Sequence, residues 1–415
     1  MTNWFEVVIA NSNMEHLDHT VIVGGGIAGL TLAITLAHCG LRSTVLETQQ
    51  APKEEGAGIQ LGPNATRILR ELSILDTLNT SAITPESIIV ADARSNHTIS
   101  RLPLGSWMVR RYGAPYIVAH RADLQSALLQ HAKAHAKIDL RFGSKLRSIN
   151  HEQEHSESQD STLKFILNDG HIVSTPIMVG ADGIWSTVRS AFKINSSKFT
   201  YSGMTAARAV INFNNLPKKL QHCVTHVWLA PDAHIVMYPI RRNLDVALVV
   251  VTPAPQPEQG WGIDIDKKEI LTTFKSIHHD VSAVLQQTKH WKQWALFDPE
   301  PLPSWSEKQM VLIGDAAHPI LPFMAQGGAM AIEDGYVLGH LISEIGLNTS
   351  KIFSTFETIR RDRVTRMQDV SRKNGNIYHL GDLMAKSRNM VLRLIPPSLL
   401  MQQYSWIYNW RYYPN

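Results

Sequence analysis

The stretch Thr20-Val-Ile-Val-Gly-Gly-Gly-Ile-Ala-Gly29 decides the fold of this 415-residue chain. Its first four residues form an apolar run typical of a buried strand, and its glycines follow the pattern G-x-G-x-x-G. Helical spacing of apolar residues then continues to Gly40, and a second apolar run ends at Glu47. The sequence therefore predicts a strand, a tight turn, a helix and a second strand, which is the first β-α-β unit of an α/β fold.

This unit predicts a bound dinucleotide. In such a turn, the first glycine permits the sharp bend, the second lets the backbone approach a pyrophosphate and the third lets the helix pack closely on the strand. We expect the helix N-terminus, with Gly24, Gly26, Ala28 and Gly29, to lie against the pyrophosphate, and Glu47 to accept hydrogen bonds from ribose hydroxyls. The alternative is a glycine-rich turn beside an ordinary surface glutamate. The sequence shows one such fingerprint, so a second dinucleotide would have no obvious binding fold of its own.

The composition excludes several other classes of protein. Hydrophobic residues make up 44% of the chain and charged residues 18%, which argues against a disordered protein. Two cysteines, Cys39 and Cys223, are too few for a disulfide framework or a cysteine-rich metal site. We expect no metal and a cytoplasmic location. Residues 21–41 lack charged side chains, but the three consecutive glycines at 24–26 indicate a buried strand, turn and helix rather than a membrane span.

The net charge of +4 is concentrated near the C-terminus. Residues 359–415 contain ten Lys or Arg residues and three Asp or Glu residues, whereas the rest of the chain is slightly acidic. We interpret Arg360, Arg361, Arg363 and Arg366 as the solvated face of a helix. Contact with an anionic membrane or a nucleic acid is the alternative, and we expect neither partner.

Two further motifs follow the glycine-rich turn in a fixed order. The first is Val179-Gly-Ala-Asp-Gly-Ile-Trp-Ser-Thr-Val-Arg189, and the second is Leu312-Ile-Gly-Asp-Ala-Ala-His-Pro319, followed by Pro322 and Gln326-Gly-Gly328. Together the three motifs resemble the single-component FAD-dependent aromatic hydroxylases. The stretch Gly56-Ala-Gly-Ile-Gln-Leu-Gly-Pro-Asn-Ala65 is similar to the salicylate hydroxylase-like branch of that family.

The resemblance implies a glutathione-reductase-like, Rossmann-type FAD-binding domain with an inserted, mostly antiparallel substrate-binding sheet and C-terminal helices. The expected parts are an N-terminal extension (1–19), the first part of the FAD-binding domain (20–195, with a short substrate-sheet segment near 85–110), the substrate-binding domain (196–300), the second part of the FAD-binding domain (301–345) and a C-terminal helical segment (346–415). Apolar periodicity predicts helices over 63–78, 122–136, 267–287, 325–345 and 352–381, and a hairpin around Asn168-Asp169-Gly170.

By the same resemblance, a set of residues is expected to hold FAD tightly but without a covalent bond. Asp315 would bind the ribityl chain, and the helix that begins near Gln326 would aim backbone amides at the flavin N1 and C2 carbonyl, where reduced flavin is anionic. Asp182 would touch FAD near the path of NADH or NADPH, with a turn or helix cap as the alternative. We interpret His318 as packing within its own turn. The remaining expected FAD contacts are Gly58, Arg121, Pro322, Gly327 and Gly328.

The candidate substrate residues are His234, Tyr238 and Arg208. His234 and Tyr238 are four positions apart in a predicted strand, so both side chains point to one face. A histidine beside a substrate phenol favours the phenolate, and Arg208 can pair with a substrate carboxylate or lie against the flavin. The alternative is an ordinary half-buried strand. Phe323 stands where some members of the branch have a histidine or a glutamine, and Gln60 stands where some hydroxynicotinate hydroxylases place a base. The choice of ring substrate is therefore open.

The resemblance implies a monooxygenase that uses FAD, NADH or NADPH, and O2. The oxygen donor would be a C4a-hydroperoxide of the flavin, and the substrate a small hydroxylated aromatic acid, salicylate-like, with decarboxylation as a further option. The expected assembly is a monomer or a homodimer. Two alternatives stay open: a hydroxylase or epoxidase of a larger apolar substrate such as an isoprenoid, quinolone or polyketide, and a non-enzymatic FAD-binding interaction protein. A flavin halogenase is disfavoured because the sequence lacks a Gly-Trp-x-Trp-x-Ile-Pro stretch.

Overall fold

The computed structural model describes residues 14–51, 58–149, 162–193, 199–255, 262–274, 276–288 and 290–414. The strands are β1 (Met14–His16), β2 (Thr20–Val23), β3 (Ser43–Glu47), β4 (Gly58–Leu61), β5 (Ser87–Asp92), β6 (Thr98–Pro103), β7 (Ile117–His120), β8 (Ile138–Phe142), β9 (Leu146–Ile149), β10 (Leu163–Leu167), β11 (Ile172–Thr175), β12 (Met178–Gly180), β13 (Phe199–Asn212), β14 (Thr225–Ala230), β15 (Ala233–Ile240), β16 (Asp245–Pro253), β17 (Ile263–Ile265), β18 (Trp291–Pro299), β19 (Ser306–Glu307) and β20 (Met310–Leu312).

The helices are α1 (Ile27–His38), α2 (Pro63–Glu71), α3 (Leu75–Asn79), α4 (Gly105–Tyr112), α5 (Arg121–Ala134), α6 (Thr187–Ser190), α7 (Lys267–Thr273), α8 (His279–Gln286), α9 (Gly327–Ile345), α10 (Thr349–Tyr378), α11 (Asp382–Leu394), α12 (Pro397–Gln402) and α13 (Ser405–Tyr408). Within the described part of the chain, no helix is both long enough and apolar enough to cross a membrane.

A six-stranded sheet in the order β19-β20-β12-β2-β3-β8 forms the first layer of the fold. Its strands are parallel, except that the short β19 runs antiparallel to β20. All four residues of β2 are buried, as expected for a strand that is covered on both faces. Helix α9 packs against α1, and a Cβ atom on Gly335 would lie 2.8 Å from the Ala28 oxygen, so a glycine is required for this close approach. The predicted strand, helix and strand around the glycine-rich turn are confirmed.

An eight-stranded sheet in the order β17-β18-β13-β16-β15-β14-β5-β6 forms the second unit. All its pairings are antiparallel except that of β14 with β5. One face carries Ile235 and Leu248 and packs on α7 and α8 through Phe274 and Val281. The other face carries the alternate residues of the same strands. Among them, Ala206 and Val251 pack against Leu321 and Phe323. This second face meets the segment that follows β20.

A four-stranded sheet, β1-β11-β10-β9, lies beside the parallel sheet. The predicted hairpin around Gly170 is confirmed, since β10 pairs antiparallel with β11 and Gly170 has a φ of +88°. Within the expected N-terminal extension (1–19), the residues that are described join the fold. β1 pairs in parallel with β11, and the Ser174 hydroxyl lies 2.6 Å from His16 Nδ1, so these residues complete the edge of a sheet.

Two predicted helices are interrupted. The helix expected over 63–78 divides into α2 and α3, because Ser73 adopts a φ of +60° between them. The helix expected over 267–287 divides into α7 and α8, and the side chains of Asp266 and His278 cap the two N-termini. Apolar periodicity continued across both breaks because the two halves of each pair bury apolar residues in one hydrophobic cluster, so periodicity alone did not locate the turns.

Candidate active site

The glycine-rich turn between β2 and α1 is built by contacts that exclude side chains. Gly24 has a φ of +109°, and a Cβ atom there would overlap the backbone of Ala181. The Gly25 amide donates to Glu47 Oε2 at 2.8 Å, which fixes the carboxylate beside the turn. Helix α1 begins after Gly26 without a side-chain cap, and a Cβ on Gly26 would meet nothing within 4 Å. The structure thus places an uncapped helix N-terminus in front of open space, next to an acid.

A second helix N-terminus lies at the same place. Helix α9 begins after Gln326, again without a side-chain cap, and a Cβ on Gly327 would meet open space. A Cβ on Gly328 would lie 2.6 Å from Ile59 Cδ1, so β4 covers the start of this helix. Two positive helix ends therefore converge, which is suited to an anionic or electron-rich ligand.

The short turn Gly314–Ala316 lies against α1. A Cβ on Gly314 would lie 3.1 Å from Ala28 Cβ, and the Asp315 side chain is exposed. The turn Pro322–Met324 follows, with Pro322 half-buried just before the start of α9. The structure therefore places the Asp315 turn against α1 and Pro322 five residues before the start of α9.

Asp182 is tied to the start of a short helix, whereas Arg121 is exposed. Asp182 Oδ2 accepts hydrogen bonds from the amides of Thr187 (2.7 Å) and Val188 (3.2 Å), so it caps α6, as the alternative interpretation expected. Its Oδ1 is buried without a hydrogen-bond partner among the described residues, and burial raises the pKa of this carboxyl group. Arg121 is the first residue of α5, and its side chain is exposed.

Tyr238 and Arg208 occupy the sheet face that meets these turns. A Cβ on Gly58 would lie 2.6 Å from Tyr238 Oη, so Gly58 makes room for this buried phenol. Arg208 lies with its guanidinium carbon 5.1 Å from the centre of the Trp294 ring. Burial lowers the pKa of Arg208, and this side chain also interacts electrostatically with Arg121, Tyr238 and Asp315. Arg121, Tyr238 and Asp315, which were predicted to have different roles, are therefore all electrostatic neighbours of Arg208.

His234 shares that face but has different neighbours. β15 pairs regularly with β16, with His234 opposite Val251 and Tyr238 opposite Ala247, so both side chains point the same way. His234 Nδ1 lies 2.8 Å from Nε2 of His379, which follows α10. Burial lowers the pKa of His234, and it lowers that of His379 to about 4, so both rings are neutral at pH 7. His379 lies far from His234 in sequence, and no motif marked it.

A buried ionic cluster holds α9 in place, and sequence analysis missed it. Arg360 Nε donates to Asp334 Oδ1 at 2.7 Å, and the same guanidinium contacts Glu333. Arg363 donates to both Glu333 oxygens at 2.7 and 2.8 Å. Burial acts to raise the pKa of Glu333, but Arg363 and Arg360 outweigh it and hold that pKa low. The interpretation of these two arginines as solvated is wrong, because both are buried against acids that lie one helix away.

The same cluster reaches the turn and the C-terminus. The Gly314 amide donates to Asp334 Oδ2 at 2.9 Å, and His318 Nε2 lies 2.6 Å from that oxygen, so His318 serves its own turn. Arg363 also donates to the carbonyls of Trp406 (2.7 Å) and Ile407 (3.0 Å). The cluster therefore ties the Asp315 turn, α9 and the last residues of the chain together.

One local group has the atoms of a metal site. His278, His279 and Asp280 have ligand atoms within 4.8 Å of one another at the start of α8. The His278 side chain accepts from the Asp280 amide, which is a helix-capping contact. The expectation of no metal stays a prediction.

Several known proteins are similar to this chain in sequence and in fold. The family model described as "FAD binding domain" matches residues 18–371. A 3-hydroxybenzoate 6-hydroxylase of Polaromonas naphthalenivorans is 33% identical over 393 residues, which cover 94% of this chain and 95% of that protein. A 6-hydroxynicotinate 3-monooxygenase of Bordetella bronchiseptica is 31% identical over 369 residues, 87% of this chain and 92% of that protein.

This chain belongs to the FAD-dependent aromatic hydroxylases. The solved structure of a salicylate hydroxylase substrate complex has a TM-score of 0.79 over 95% of this chain and 96% of that chain, at 22% identity. Klebsiella pneumoniae HpxO complexed with FAD and uric acid has a TM-score of 0.79 over 93% and 95%, at 20% identity. The predicted fold class and family are confirmed. As a family member, the protein is a monooxygenase with FAD as its cofactor and NADH or NADPH as its reductant.

The residues present fit FAD. Two uncapped helix N-termini open onto space that a Cβ on Gly26 or Gly327 would enter. The buried Asp182 Oδ1 and Asn64 Oδ1 have no hydrogen-bond partner among the described residues. Helix ends and unpaired acceptors are the groups that bind phosphates, hydroxyls and the polar edge of a ring system.

Proposed function

We propose that this hydroxylase acts on a small hydroxylated aromatic acid where the antiparallel sheet meets the N-termini of α1 and α9. Arg208 carries the proposal. Its Nε is buried without a hydrogen-bond partner among the described residues, on a face with Ala206 and Val249 as apolar neighbours. Arg208 is half-buried, and a buried guanidinium N–H without an acceptor is unfavourable, so this site is suited to a ligand that supplies a carboxylate. The curated relatives are named for hydroxybenzoates and a hydroxynicotinate, which are such ligands.

We propose that the two helix ends and their turns hold FAD. Glu47 would accept the ribose hydroxyls, the amides after Gly26 would face the pyrophosphate, and Asp315 would accept the ribityl hydroxyls. The α9 N-terminus, with Gly327 and Gly328, would face the flavin ring. The cofactor held by these residues would supply the redox chemistry, with NADH or NADPH as the reductant and O2 as the oxidant. The remaining proposed contacts are Gly24, Ala28, Gly29, Gly58, Arg121, Asp182, Pro322 and Gln326.

This assignment implies a division of the chain into a FAD-binding domain and a substrate-binding domain. Residues 20–195 and 301–345 would form the FAD-binding domain, and 196–300, with the segment near 85–110, the substrate-binding domain. The segment 346–415 would close the site from one side. The pairing of β14 with β5 supports the inclusion of the early segment. The unpaired thiols of Cys39 and Cys223 support a cytoplasmic location.

His234 and Tyr238 would position the phenol of the substrate. In the tautomer in which Nδ1–H of His234 donates to His379 Nε2, the Nε2 lone pair of His234 is free to accept the phenol proton. The proton on Nδ1 can then move to His379, which is half-buried. Both rings are neutral at pH 7, as a proton acceptor must be before it acts.

The test is oxidation of NADH and NADPH by the FAD-loaded protein with a panel of hydroxybenzoates and hydroxynicotinates, with hydrogen peroxide measured in parallel. We expect one acid to accelerate oxidation many-fold with little peroxide. The methyl ester of that acid is the matched control, and it should not stimulate oxidation because it cannot pair with Arg208.

Arg208→Met should raise KM for the acid by roughly 10- to 100-fold, the equivalent of one charge-assisted hydrogen-bonded pair. Arg372→Met, at an arginine that pairs with Asp298 instead, is the control and should leave KM unchanged. If no acid stimulates oxidation while a larger apolar compound does, the proposal of an acidic substrate is wrong.

A further inference from the structure

Helix α11 has an exposed apolar face. Its exposed apolar residues recur at the spacing of one helix face, and Leu383 and Leu394 are 75% and 71% exposed. Leu399, in the following helix α12, is also exposed. We call this set the α11 ridge; its members are Leu383, Met384, Met390, Val391, Leu394 and Leu399.

The opposite face of α11 is anchored, which fixes the orientation of the ridge. Arg388 is buried and donates to the carbonyls of Ile377 (2.8 Å) and Tyr378 (2.9 Å). Leu392 packs against the cluster that contains Val227 and Leu229 of the antiparallel sheet. The helix therefore cannot turn its ridge inward without breaking these contacts. Contiguous exposed apolar surface of this kind marks an interaction site.

Two exposed cations lie beside the ridge. Lys386 and Arg393 are exposed and seven positions apart, so they lie on one flank of the helix. They line a groove of about 410 Å³ with Met390 and Leu394 of the ridge. Asp92, the carboxylate in that groove, accepts three hydrogen bonds from its own turn, two from the amides of Arg94 and Ser95 and one from the Ser95 hydroxyl.

We propose that the α11 ridge docks this protein on an anionic lipid surface. An amphipathic helix that lies in a membrane interface places its apolar side chains among the acyl chains and its Lys and Arg residues at the anionic headgroups. A second copy of the chain is a poorer match, since antiparallel pairing of two ridges would bring Lys386 and Arg393 toward the same residues of the other copy. The proposal reverses the expectation that the protein has no membrane partner. It does not depend on the identity of the aromatic substrate.

The test is flotation of the FAD-loaded, full-length protein with phosphatidylcholine vesicles that contain about one third phosphatidylglycerol, against vesicles of phosphatidylcholine alone. We expect at least about tenfold tighter binding to the anionic vesicles at low salt, and a clear loss at high salt. The double variant Leu383→Ser/Leu394→Ser should abolish binding. Its matched control, Leu244→Ser/Leu347→Ser, removes two leucines that are 65% and 67% exposed elsewhere and should bind normally.

The charge contribution is tested separately. Lys386→Glu/Arg393→Glu should weaken binding at least about tenfold, at about fivefold per cation near the surface. Lys218→Glu/Lys219→Glu makes the same change at two exposed lysines of another turn and should have little effect. All variants should keep the FAD absorbance and the melting temperature of the parent, which shows that they fold.

Three results would overturn the proposal. One is the absence of vesicle binding, and another is equal binding to neutral and anionic vesicles. The third is a dimer, measured by light scattering, that Leu383→Ser/Leu394→Ser converts to a monomer, because the ridge would then be an interface between copies.

Discussion

The two helices whose N-termini face the proposed cofactor are held in place by opposite means. Helix α1 is placed by sterics: Gly24 lets the turn approach the backbone of Ala181, and Gly29 lets the helix approach the Gly24 carbonyl, more closely than a Cβ would allow. Helix α9 also approaches α1 closely at Gly335, but charge holds it in addition: its Glu333 and Asp334 are buried against Arg360 and Arg363 of the next helix. A site that binds one ligand is thus supported on one side by a local turn and on the other by a long-range ionic cluster.

This difference predicts how a substitution would destabilise each of the two helices. A steric turn has no charge to compensate, so a substitution there strains only the local backbone. A buried ionic cluster fails globally, because removal of one partner leaves the others buried and uncompensated. The experiments below separate the two.

The largest effect is expected for Arg360→Met. It leaves Asp334 and Glu333 without one of their cations in a buried environment, and we expect the free energy of unfolding to fall by roughly 3–5 kcal/mol. Urea unfolding measures this. Arg366→Met is the control, since Arg366 is exposed and only stacks on Trp406 at 4.1 Å, so its loss should be below about 1 kcal/mol. Equal losses in the two variants would mean that charge does not fix α9.

Gly24→Ala is expected to have the next largest effect. The alanine would be held at a φ of +109° with its Cβ against Ala181, which should lower the free energy of unfolding by about 1–3 kcal/mol. FAD content after gel filtration should fall with it. An unchanged melting temperature would show that the turn accommodates the methyl group, and it would contradict the claim that steric exclusion places α1.

Gly26→Ala sharpens the comparison, because a Cβ there meets nothing in the protein. We expect the free energy of unfolding of the FAD-free protein to change by less than about 0.5 kcal/mol. The methyl group would enter the space assigned to the pyrophosphate, so the Kd for FAD should rise at least about tenfold, or about 1.4 kcal/mol. Titration of FAD by fluorescence quenching tests this, and an unchanged Kd would place the pyrophosphate elsewhere.

The smallest effect concerns the long-range pair His234 and His379. Burial depresses the pKa of both rings, that of His379 to about 4, so the unfolded chain binds their protons first. Stability is therefore fully present above the ordinary histidine pKa of about 6.5 and falls as the pH drops from there toward about 4. Asp232 opposes this shift at His379 and Arg388 adds to it.

His379→Gln should make the melting temperature less dependent on pH between about 6.5 and 4. It should also shift the pH profile of kcat/KM for the aromatic acid if His379 receives the proton of His234. The exposed His279→Gln is the control and should change neither profile. A change in stability alone would leave His379 with a purely structural role.

Much of the fold was predictable because its signals are local. Glycines that must approach a backbone, an acid at the end of the next strand, and alternating side chains along β15 all follow from geometry over a few residues. The alternation correctly placed His234 and Tyr238 on one face. The break at Ser73 was missed, because the apolar periodicity continues across it.

The ionic cluster and the histidine pair were beyond sequence reasoning for a different reason. Arg360 and Arg363 lie in a charged stretch that is typical of a solvated helix, and their burial depends on acids of another helix that the fold brings within hydrogen-bond distance. In the same way, the fold brings His234 within hydrogen-bond distance of His379, which lies 145 positions further along the chain.

The sequence by itself determined that this chain folds around a dinucleotide turn, because the glycines that the turn requires are spaced over six consecutive residues, Gly24 to Gly29, and Gly29 packs on the Gly24 carbonyl of the same turn. The order of its motifs also marked its family. Only the tertiary structure decided which charges are buried, which histidines pair, and which face of α11 is left exposed. Burial, the cost of an unpaired charge and the exposure of an apolar face are properties of contacts between distant segments, and no local pattern encodes them.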